Sequence, residues 1–280
     1  MELLFITNEP LIARAAVSAG VRRIFVDLEV DGKRERQKHL NAHLSTHDRV
    51  DVQKMRNAVP DATLLVRCNP LSDSSNEEVE DVLRNGADMV MLPMFYSANE
   101  IAHFVRLVGG RAKVVALVET PSALARLRQI VTHQDAPDEF YLGLNDLSLL
   151  MRLSFLMEPL AGGLVDHFCQ EVRKAGFPYG FGGVGTVGSG AVPAELILSE
   201  HVRLGSSRVI LSRAFRNAAL ASNTQAVSLD RLTEEIRRVL DTVTSLRTKS
   251  AAELEENRRA LVTAVERVVQ ERLPPAGVDQ

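Results

Sequence analysis

The sequence predicts a (β/α)8 barrel, and three observations carry that prediction. Eight short apolar runs of strand length recur between residues 3 and 212. Amphipathic segments separate them, which indicates parallel strands joined by right-handed crossovers. Eight such units in a chain of 280 residues fit a closed barrel and its usual length. A doubly wound open sheet is the alternative, and it would need fewer units or an additional domain.

Each predicted strand has an apolar interior and ends at polar or small residues. The eight are Leu3–Thr7, Arg23–Glu29, Thr63–Asn69, Asp88–Pro93, Lys113–Thr120, Glu139–Asn145, Tyr179–Gly185 and Arg208–Ser212. Helical patterns lie between them at Pro10–Ala19, Asn76–Asn85, Ala98–Val108, Pro121–Thr132, Leu164–Ala175 and Pro193–Leu204. Gly20, Gly86 and Gly205 follow three of these helices, where a C-terminal stop is expected.

The chain changes character near residue 222, so we assign residues 1–221 to the barrel and residues 222–280 to a C-terminal helical extension. Apolar residues recur there at three- and four-residue spacing on two predicted helices. They are Leu229, Leu232, Ile236, Val239, Val243 and Leu246 on the first helix, and Leu254, Leu261, Val265 and Val268 on the second. Two interpretations stay open, namely packing on the barrel and a subunit-contacting arm of a homo-oligomer.

Composition excludes several classes of protein. The chain is 45% hydrophobic and 25% charged with a net charge of −3, which is typical of a globular protein and argues against a nucleic-acid partner. Its two cysteines, Cys68 and Cys169, have no metal-finger or redox spacing, so we expect a cytoplasmic location. No apolar run has membrane-spanning length, and the N-terminus lacks a signal-peptide pattern, so no membrane partner is expected.

Polar side chains follow several predicted strands at the ends that open onto one face of a barrel, where such folds carry their chemistry. They are Asp27 and Glu29 at the end of the second strand, Arg67 and Asn69 at the end of the third, Glu119 at the end of the fifth and Asp146 just after the sixth. Carboxylate oxygens suit Mg²⁺ or Mn²⁺, and Mg²⁺ typically takes one or two carboxylates and leaves its other positions to water and substrate. The sequence therefore predicts a metal on Glu119 and Asp146. Arg67 would stabilise the charge of an enolate.

Five motifs in order resemble the HpcH/HpaI aldolase and citrate lyase β-subunit superfamily. They are Phe25-Val-Asp-Leu-Glu29, Leu65-Val-Arg-Cys-Asn-Pro70, Gly86-Ala-Asp-Met-Val-Met-Leu-Pro93, Leu117-Val-Glu-Thr-Pro-Ser-Ala-Leu124 and Leu142-Gly-Leu-Asn-Asp-Leu-Ser148. The resemblance implies a barrel that is often oligomeric through its C-terminal helices. It also implies a divalent metal on Glu119 and Asp146, substrate contact by Arg67, and cleavage or formation of a carbon–carbon bond beside a pyruvate, oxaloacetate or acyl-thioester unit.

The sequence departs from this family pattern at several positions. Val30 stands where citrate-lyase-like members have a second acid, and Met94 stands where they have lysine. Leu117 replaces the glutamine that pyruvate aldolases place two residues before the metal glutamate. The histidine that they carry after strand two is not matched by motif. The basic segment after strand two does hold three histidines, His39, His43 and His47, as candidates for general base work or for a solvated surface.

The seventh predicted strand runs into a glycine-rich segment. Its backbone N–H groups, at Gly183 and Gly185 in particular, are candidates to bind a substrate phosphate or carboxylate, although the glycines could equally serve close backbone approach. A dinucleotide fingerprint also fits the segment, but its late position and the missing acid argue against that reading. Arg213, after the eighth strand, is a candidate cationic contact or a structural ion pair.

The leading hypothesis is a metal-dependent class II aldolase or carbon–carbon lyase that acts on a 2-oxo acid or malate-type carboxylate. Arg67 would stabilise the enolate, and Asp27 and Glu29 are candidates to hold metal-bound water or to assist proton transfer. Asn69, Gly183, Gly185 and Arg213 are the further substrate-binding candidates. Two alternatives remain, a synthase that condenses a pyruvate- or phosphoenolpyruvate-derived enolate and a non-catalytic binding barrel.

Overall fold

The protein folds as a closed barrel of eight parallel strands with helices on its outer face, which confirms the predicted fold class. The structure, a computed structural model, describes residues 1–30, 47–218 and 228–272. The strands pair in sequence order, and β8 closes the barrel on β1. They are β1 (Glu2–Ile6), β2 (Arg23–Asp27), β3 (Thr63–Arg67), β4 (Met89–Leu92), β5 (Lys113–Val118), β6 (Glu139–Leu142), β7 (Tyr179–Val184) and β8 (Arg208–Leu211).

Thirteen helices lie in the described part of the chain, and they alternate with the strands as expected. They are α1 (Pro10–Ser18), α2 (Arg49–Ala58), α3 (Ser75–Arg84), α4 (Ala98–Val108), α5 (Pro121–Ala125), α6 (Leu127–Val131), α7 (Leu144–Leu150), α8 (Glu158–Ala161), α9 (Leu164–Lys174), α10 (Ala194–Arg203), α11 (Ala214–Ala218), α12 (Leu229–Leu246) and α13 (Ala251–Arg272).

Two details of the predicted elements are wrong. A single helix was expected over Pro121–Thr132, but Arg126 leaves helical geometry at φ −100° and ψ 12° and divides it into α5 and α6. Several strands also end earlier than expected. The sixth stops at Leu142 rather than Asn145, because the chain turns at Gly143 and starts α7 directly. Asp146 consequently lies in the first turn of a helix.

Apolar side chains form two cores on either side of the barrel wall. The barrel interior is filled by Leu4, Phe25, Leu65, Met89, Met91, Val115, Leu117 and Tyr141. A larger core lies between the strands and the surrounding helices. This alternation along each strand is the expected consequence of side chains pointing to opposite faces of a sheet.

Tyr141 bridges an irregularity between β7 and β8. The pairing register shifts between Gly180 and Gly183, which leaves backbone groups without a regular ladder partner. The Tyr141 hydroxyl donates to the Gly182 carbonyl at 2.7 Å and accepts from the Ile210 N–H at 2.8 Å. A Cβ at Gly180 would overlap the Tyr141 ring, so glycine is required at that strand position.

The N-terminal end of the barrel is closed by a balanced set of two arginines and two glutamates. Arg23 lies 2.7 Å from Glu139 through Nη1 and 2.9 Å from Glu2 through Nε. Arg208 Nε lies 3.1 Å from both glutamates. Buried charges are tolerated when they are paired and hydrogen-bonded in this way.

The C-terminal helices pack on the barrel of their own chain. Helix α12 contacts α1, α10 and α11, and α13 contacts α8 and α10. The apolar stripes expected from sequence are buried there, except for Leu229, which is 36% exposed. The interpretation as helices that pack on the barrel therefore accounts for the stripes. The domain boundary at residue 222 falls outside the described residues, and the homo-oligomer stays a prediction.

Across the described ranges, no helix combines the length and the apolar character needed to span a lipid bilayer.

His201 on α10 is fully buried and stacks on Phe181 with ring centroids 3.8 Å apart. Its Nδ1 pairs with Ser206 Oγ at 2.9 Å, and its Nε2 has no hydrogen-bond partner within the described ranges. Burial lowers the pKa of His201 to about 3, because the charged imidazolium would be desolvated. In the unfolded chain His201 therefore takes up a proton near pH 6.5, whereas in the folded chain it stays neutral at that pH.

We expect this histidine to destabilise the fold as the pH falls below about 6.5. Between pH 7 and pH 5 the free energy of unfolding should drop by about 2 kcal/mol more in the wild type than in His201→Gln. Urea unfolding at both pH values measures the difference. His103→Gln, at an exposed position on α4, is the matched control and should keep the wild-type pH dependence. An unchanged dependence in His201→Gln would contradict the assignment.

Candidate active site

Arg67 lies at the centre of a cluster of acids at the C-terminal mouth of the barrel. It is the last residue of β3, and its Nε and Nη2 donate to the two oxygens of Asp27, at the end of β2, at 2.8 Å each. Its Nη1 lies 3.2 Å from Glu29 Oε2. Burial alone would lower the pKa of Arg67, but Asp27 and Glu29 outweigh it and raise the pKa, so the guanidinium stays charged.

Glu119 follows β5 directly and is 2% exposed. Its Oε1 accepts a hydrogen bond from the Met94 N–H at 3.2 Å. Burial raises the pKa of Glu119 well above its usual value, and the neighbouring charge of Asp146 raises it further, against the opposing effect of Arg67. Glu119 is thus a desolvated acid beside a second acid.

Asp146 is buried in the first turn of α7, where its carboxylate also benefits from the positive end of the helix. Five of the residues expected from sequence are therefore brought together by direct contact or electrostatic interaction: Asp27, Glu29, Arg67, Glu119 and Asp146. Four carboxyl groups and one guanidinium make up this cluster, so its acidic groups outnumber its basic one.

Glu119 and Asp146 are the residues whose donor oxygens suit a hard divalent cation. Their burial and mutual repulsion are what such a cation would relieve. Within residues 1–30, 47–218 and 228–272, no group of three or more side chains with metal-binding geometry occurs. A divalent cation bound at this place would take two carboxylates from the protein, which is a common arrangement for Mg²⁺.

The four other residues that were predicted to bind substrate lie in different surroundings. Asn69 donates to Glu78 Oε1 at 2.8 Å and accepts from the Val30 N–H at 2.9 Å, so it ties the end of β3 to α3 and to the segment after β2. At Gly183 and Gly185 a Cβ would meet only ordinary contacts, the nearest at 3.5 and 3.9 Å. Arg213 is exposed after β8. Substrate binding by these four residues stays a prediction.

Three further residues belong to the site: His47, which sequence left as one of three candidate histidines, and Met94 and Gly143, which sequence did not select as site residues. His47 Nδ1 accepts the Asp27 backbone N–H at 3.0 Å, which places its ring at the mouth. His39 and His43, its companions in the basic segment, lie outside the described residues. Met94 adopts a left-handed backbone with φ 52°, unusual for a side chain of its size, and this presents its N–H to Glu119.

Gly143 is the third, and its role is steric. Its backbone, with φ −85° and ψ 103°, suits any residue. A Cβ there would lie 2.7 Å from Glu119 Oε2 and 2.8 Å from Glu119 Cβ. The missing side chain at residue 143 is therefore what lets Glu119 occupy its place. One sequence alone gives no signal for such a contact, because Glu119 and Gly143 are far apart in the chain.

The fold and this acidic mouth together define the class of protein, a (β/α)8 barrel with a charged site at the carboxyl ends of its strands. The family model for HpcH/HpaI aldolase/citrate lyase matches residues 3–156, more than half of the chain. The chain belongs to this family. None of the curated proteins matches the sequence.

Solved structures share the fold at low sequence identity. An HpcH/HpaI aldolase from Desulfitobacterium hafniense DCB-2 is 17% identical with a TM-score of 0.58, over 75% of this chain and 85% of that one. A HpcH/HpaI aldolase/citrate lyase family protein from Burkholderia cenocepacia J2315 is 15% identical with a TM-score of 0.58, over 87% and 94%. Citrate synthase SbnG is 14% identical with a TM-score of 0.57, over 76% and 86%.

We expect Gly143→Ala to strain the site through Glu119. The substitution should cost about 1–3 kcal/mol of stability, the usual range for overpacking, because the new methyl group would press on the buried Glu119. In a Glu119→Gly background the clash is removed, and the same substitution should cost much less. Urea unfolding of the two single variants and the double variant measures this coupling. Additive effects would show that Gly143 does not position Glu119.

Proposed function

We propose that the protein is a divalent-metal-dependent aldolase or carbon–carbon lyase that acts on a 2-oxo acid or malate-type carboxylate through an enolate. Membership of an aldolase and lyase family supports an enzyme of this kind. The observation that carries the proposal is the pair of desolvated carboxylates, Glu119 and Asp146, beside the charged Arg67. An acidic pair and a permanent cation suit the binding of a metal and an anionic oxygen at the same place.

Glu119 and Asp146 are the residues that we assign to hold Mg²⁺ or Mn²⁺. When bound, such a cation withdraws electron density from a carbonyl oxygen and lowers the cost of forming an enolate. The Met94 N–H restrains Glu119 through Oε1, and Gly143 leaves room for Oε2. The protein thereby orients the carboxylate before any ligand arrives, which is the arrangement expected of a preorganised site.

Arg67 is assigned to the anionic oxygen of the substrate. Two of its five N–H bonds donate to Asp27, and its Nη1 lies 3.2 Å from Glu29 Oε2. The N–H bonds on Nη1 and the second N–H bond on Nη2 would serve a carboxylate or an enolate oxygen. Asp27 accepts at both of its oxygens, so its task is to orient the guanidinium. Glu29 remains a candidate for holding water or moving a proton.

His47 is assigned to proton transfer. Because its Nδ1 accepts the Asp27 N–H, a neutral imidazole must carry its proton on Nε2. Histidine has a pKa suited to taking up and returning a proton near neutral pH. In the cleavage direction such a group removes the proton of the substrate hydroxyl, and in the condensation direction it returns that proton to the new hydroxyl.

Condensation is the second candidate function. A solved structure of the same fold is described as a citrate synthase, and cleavage and condensation pass through the same enolate. A synthase would need the same acids and the same arginine, so the site is compatible with both directions.

Loss of charge at Glu119 or Asp146 should abolish enolate formation. We expect Glu119→Gln and Asp146→Asn to lower the Mg²⁺-dependent exchange of pyruvate C3 protons in D₂O by at least about 100-fold. Glu119→Gln keeps an oxygen for the Met94 N–H and removes a repulsive charge, so its melting temperature should not fall. Proton NMR measures the exchange. Asp61→Asn, at an exposed position between α2 and β3, is the control and should exchange at the wild-type rate.

If Glu119→Gln exchanges at the wild-type rate, the metal assignment is wrong. If the folded wild type shows no exchange and binds neither Mg²⁺ nor pyruvate in a calorimetric titration, a non-catalytic barrel is the better interpretation.

His47→Gln should lower turnover by about 10²–10⁴-fold, the range for loss of a general acid or base. The same variant should lose the limb of the pH–rate profile that reports the histidine, while its affinity for Mg²⁺ stays within twofold of the wild type. An unchanged profile in an active variant would exclude His47 from proton transfer.

A further inference from the structure

Most of the exposed large apolar side chains follow the carboxyl ends of barrel strands, the side of a barrel on which the acidic cluster lies. In the described ranges seven are exposed, and only Leu229 lies on the C-terminal helices. The other six follow carboxyl ends of strands and are Leu11, Val30, Val50, Tyr96, Leu150 and Met151. Scattered exposed apolar residues are ordinary in a folded protein. A group confined to the face of the active site points to binding there.

Four of the six continue directly from the segments that hold the acidic cluster. Val30 adjoins Glu29, and Tyr96 lies two residues beyond Met94. Leu150 is four residues beyond Asp146 on α7, so the two side chains lie on the same face of the helix, one turn apart. Met151 follows Leu150 at the end of that helix. We call Val30, Tyr96, Leu150 and Met151 the apolar rim.

Exposure increases along this face from the acids to the rim. Asp146 is 5% exposed and Leu150 is 40% exposed. The buried end therefore offers carboxylates and a guanidinium to the small charged part of a substrate. The exposed end offers methyl, methylene and aromatic groups to whatever part of the substrate extends outward. An anionic outer part would gain little from such a surface, because apolar groups do not compensate the loss of its hydration.

Arg126 contacts a residue of the rim and Arg152 adjoins one, so both could compete as anchors for an anionic substrate group. The Arg126 guanidinium donates to the carbonyls of Tyr96 and Ser122, so its Nη1 is engaged with the backbone. Arg152 follows Met151 and is exposed. An anionic group at the outer end of the substrate would bind through Arg152 on this side of the mouth. A variant of Arg152 can therefore be compared directly with a variant of Leu150.

We propose that the second substrate, the molecule joined to or released from the 2-oxo acid, is an aldehyde with an apolar aliphatic or aromatic chain that lies on the apolar rim. This inference rests on the proposed aldolase function. In condensation, a base removes a C3 proton of pyruvate, C3 bonds to the aldehyde carbon, and the carbonyl π pair becomes the alkoxide. That oxygen takes up one proton, so the atoms of the two reactants are all retained in the product. Cleavage is the reverse.

The test is a series of aldehydes with pyruvate and Mg²⁺. We expect kcat/KM to rise roughly fourfold for each methylene from propanal to hexanal, the value of burying one such group. Benzaldehyde should also exceed glycolaldehyde. Leu150→Ser and Met151→Ser should lower the ratio of hexanal to propanal at least about fivefold. Leu229→Ser, an exposed leucine away from the rim, and Arg152→Ala should keep the wild-type ratio.

Several results would overturn the inference. One is a preference for succinic semialdehyde or glycolaldehyde over hexanal, together with a loss of that preference in Arg152→Ala. Another is pyruvate C3 exchange with no aldehyde accepted, which would show that the proposed function holds while the partner is of another class. A change of oligomeric state in Leu150→Ser, seen by light scattering, would assign the rim to a second copy of the chain. Absence of C3 exchange would overturn both proposals.

Discussion

The excess of buried negative charge at the barrel mouth is the constraint on which the rest of the site depends. Asp27, Glu29 and Glu119 interact with the guanidinium of Arg67, and Asp146 interacts with Glu119. At the opposite end of the barrel, two arginines balance two glutamates. The charges at one end are thus paired, whereas at the other end burial, and then the neighbouring charge of Asp146, raise the pKa of Glu119. Such an imbalance destabilises the isolated chain, and the cation that we propose would relieve it, which is a common relation between stability and function at active sites.

Local backbone features keep the acids in place against this repulsion. Met94 accepts a left-handed conformation that directs its N–H at Glu119. Gly143 removes the side chain that would otherwise displace the same carboxylate. On the other side of the cluster, Asp27 holds Arg67 through two hydrogen bonds, and its own backbone N–H fixes the ring of His47. A strained backbone at Met94 and a close approach at Gly143 thus lie beside Glu119, as is common at functional sites.

Much of this arrangement follows from sequence because barrels align the carboxyl ends of their strands. The alternation of apolar runs and amphipathic segments predicts the closed barrel, and the acids that follow the runs predict Glu119, Asp146 and Arg67 as one site. Sequence does not show that Arg67 is already bonded to Asp27, since that contact depends on the register of β2 with β3. It also does not select His47 among three histidines or reveal Gly143. Those depend on distances between residues remote in the chain.

A calorimetric titration of the protein with Mg²⁺ tests the central claim most directly. It should be run at pH 6 and pH 8, each in two buffers of different ionisation enthalpy, so that released protons are counted. The account predicts one Mg²⁺ per chain and a proton release that is larger at pH 6 than at pH 8, because the raised pKa of Glu119 keeps more of its carboxyl protonated at low pH. Glu119→Gln should lose that release and most of the affinity. A folded protein that binds no Mg²⁺, or binds it equally well without Glu119, would contradict the account.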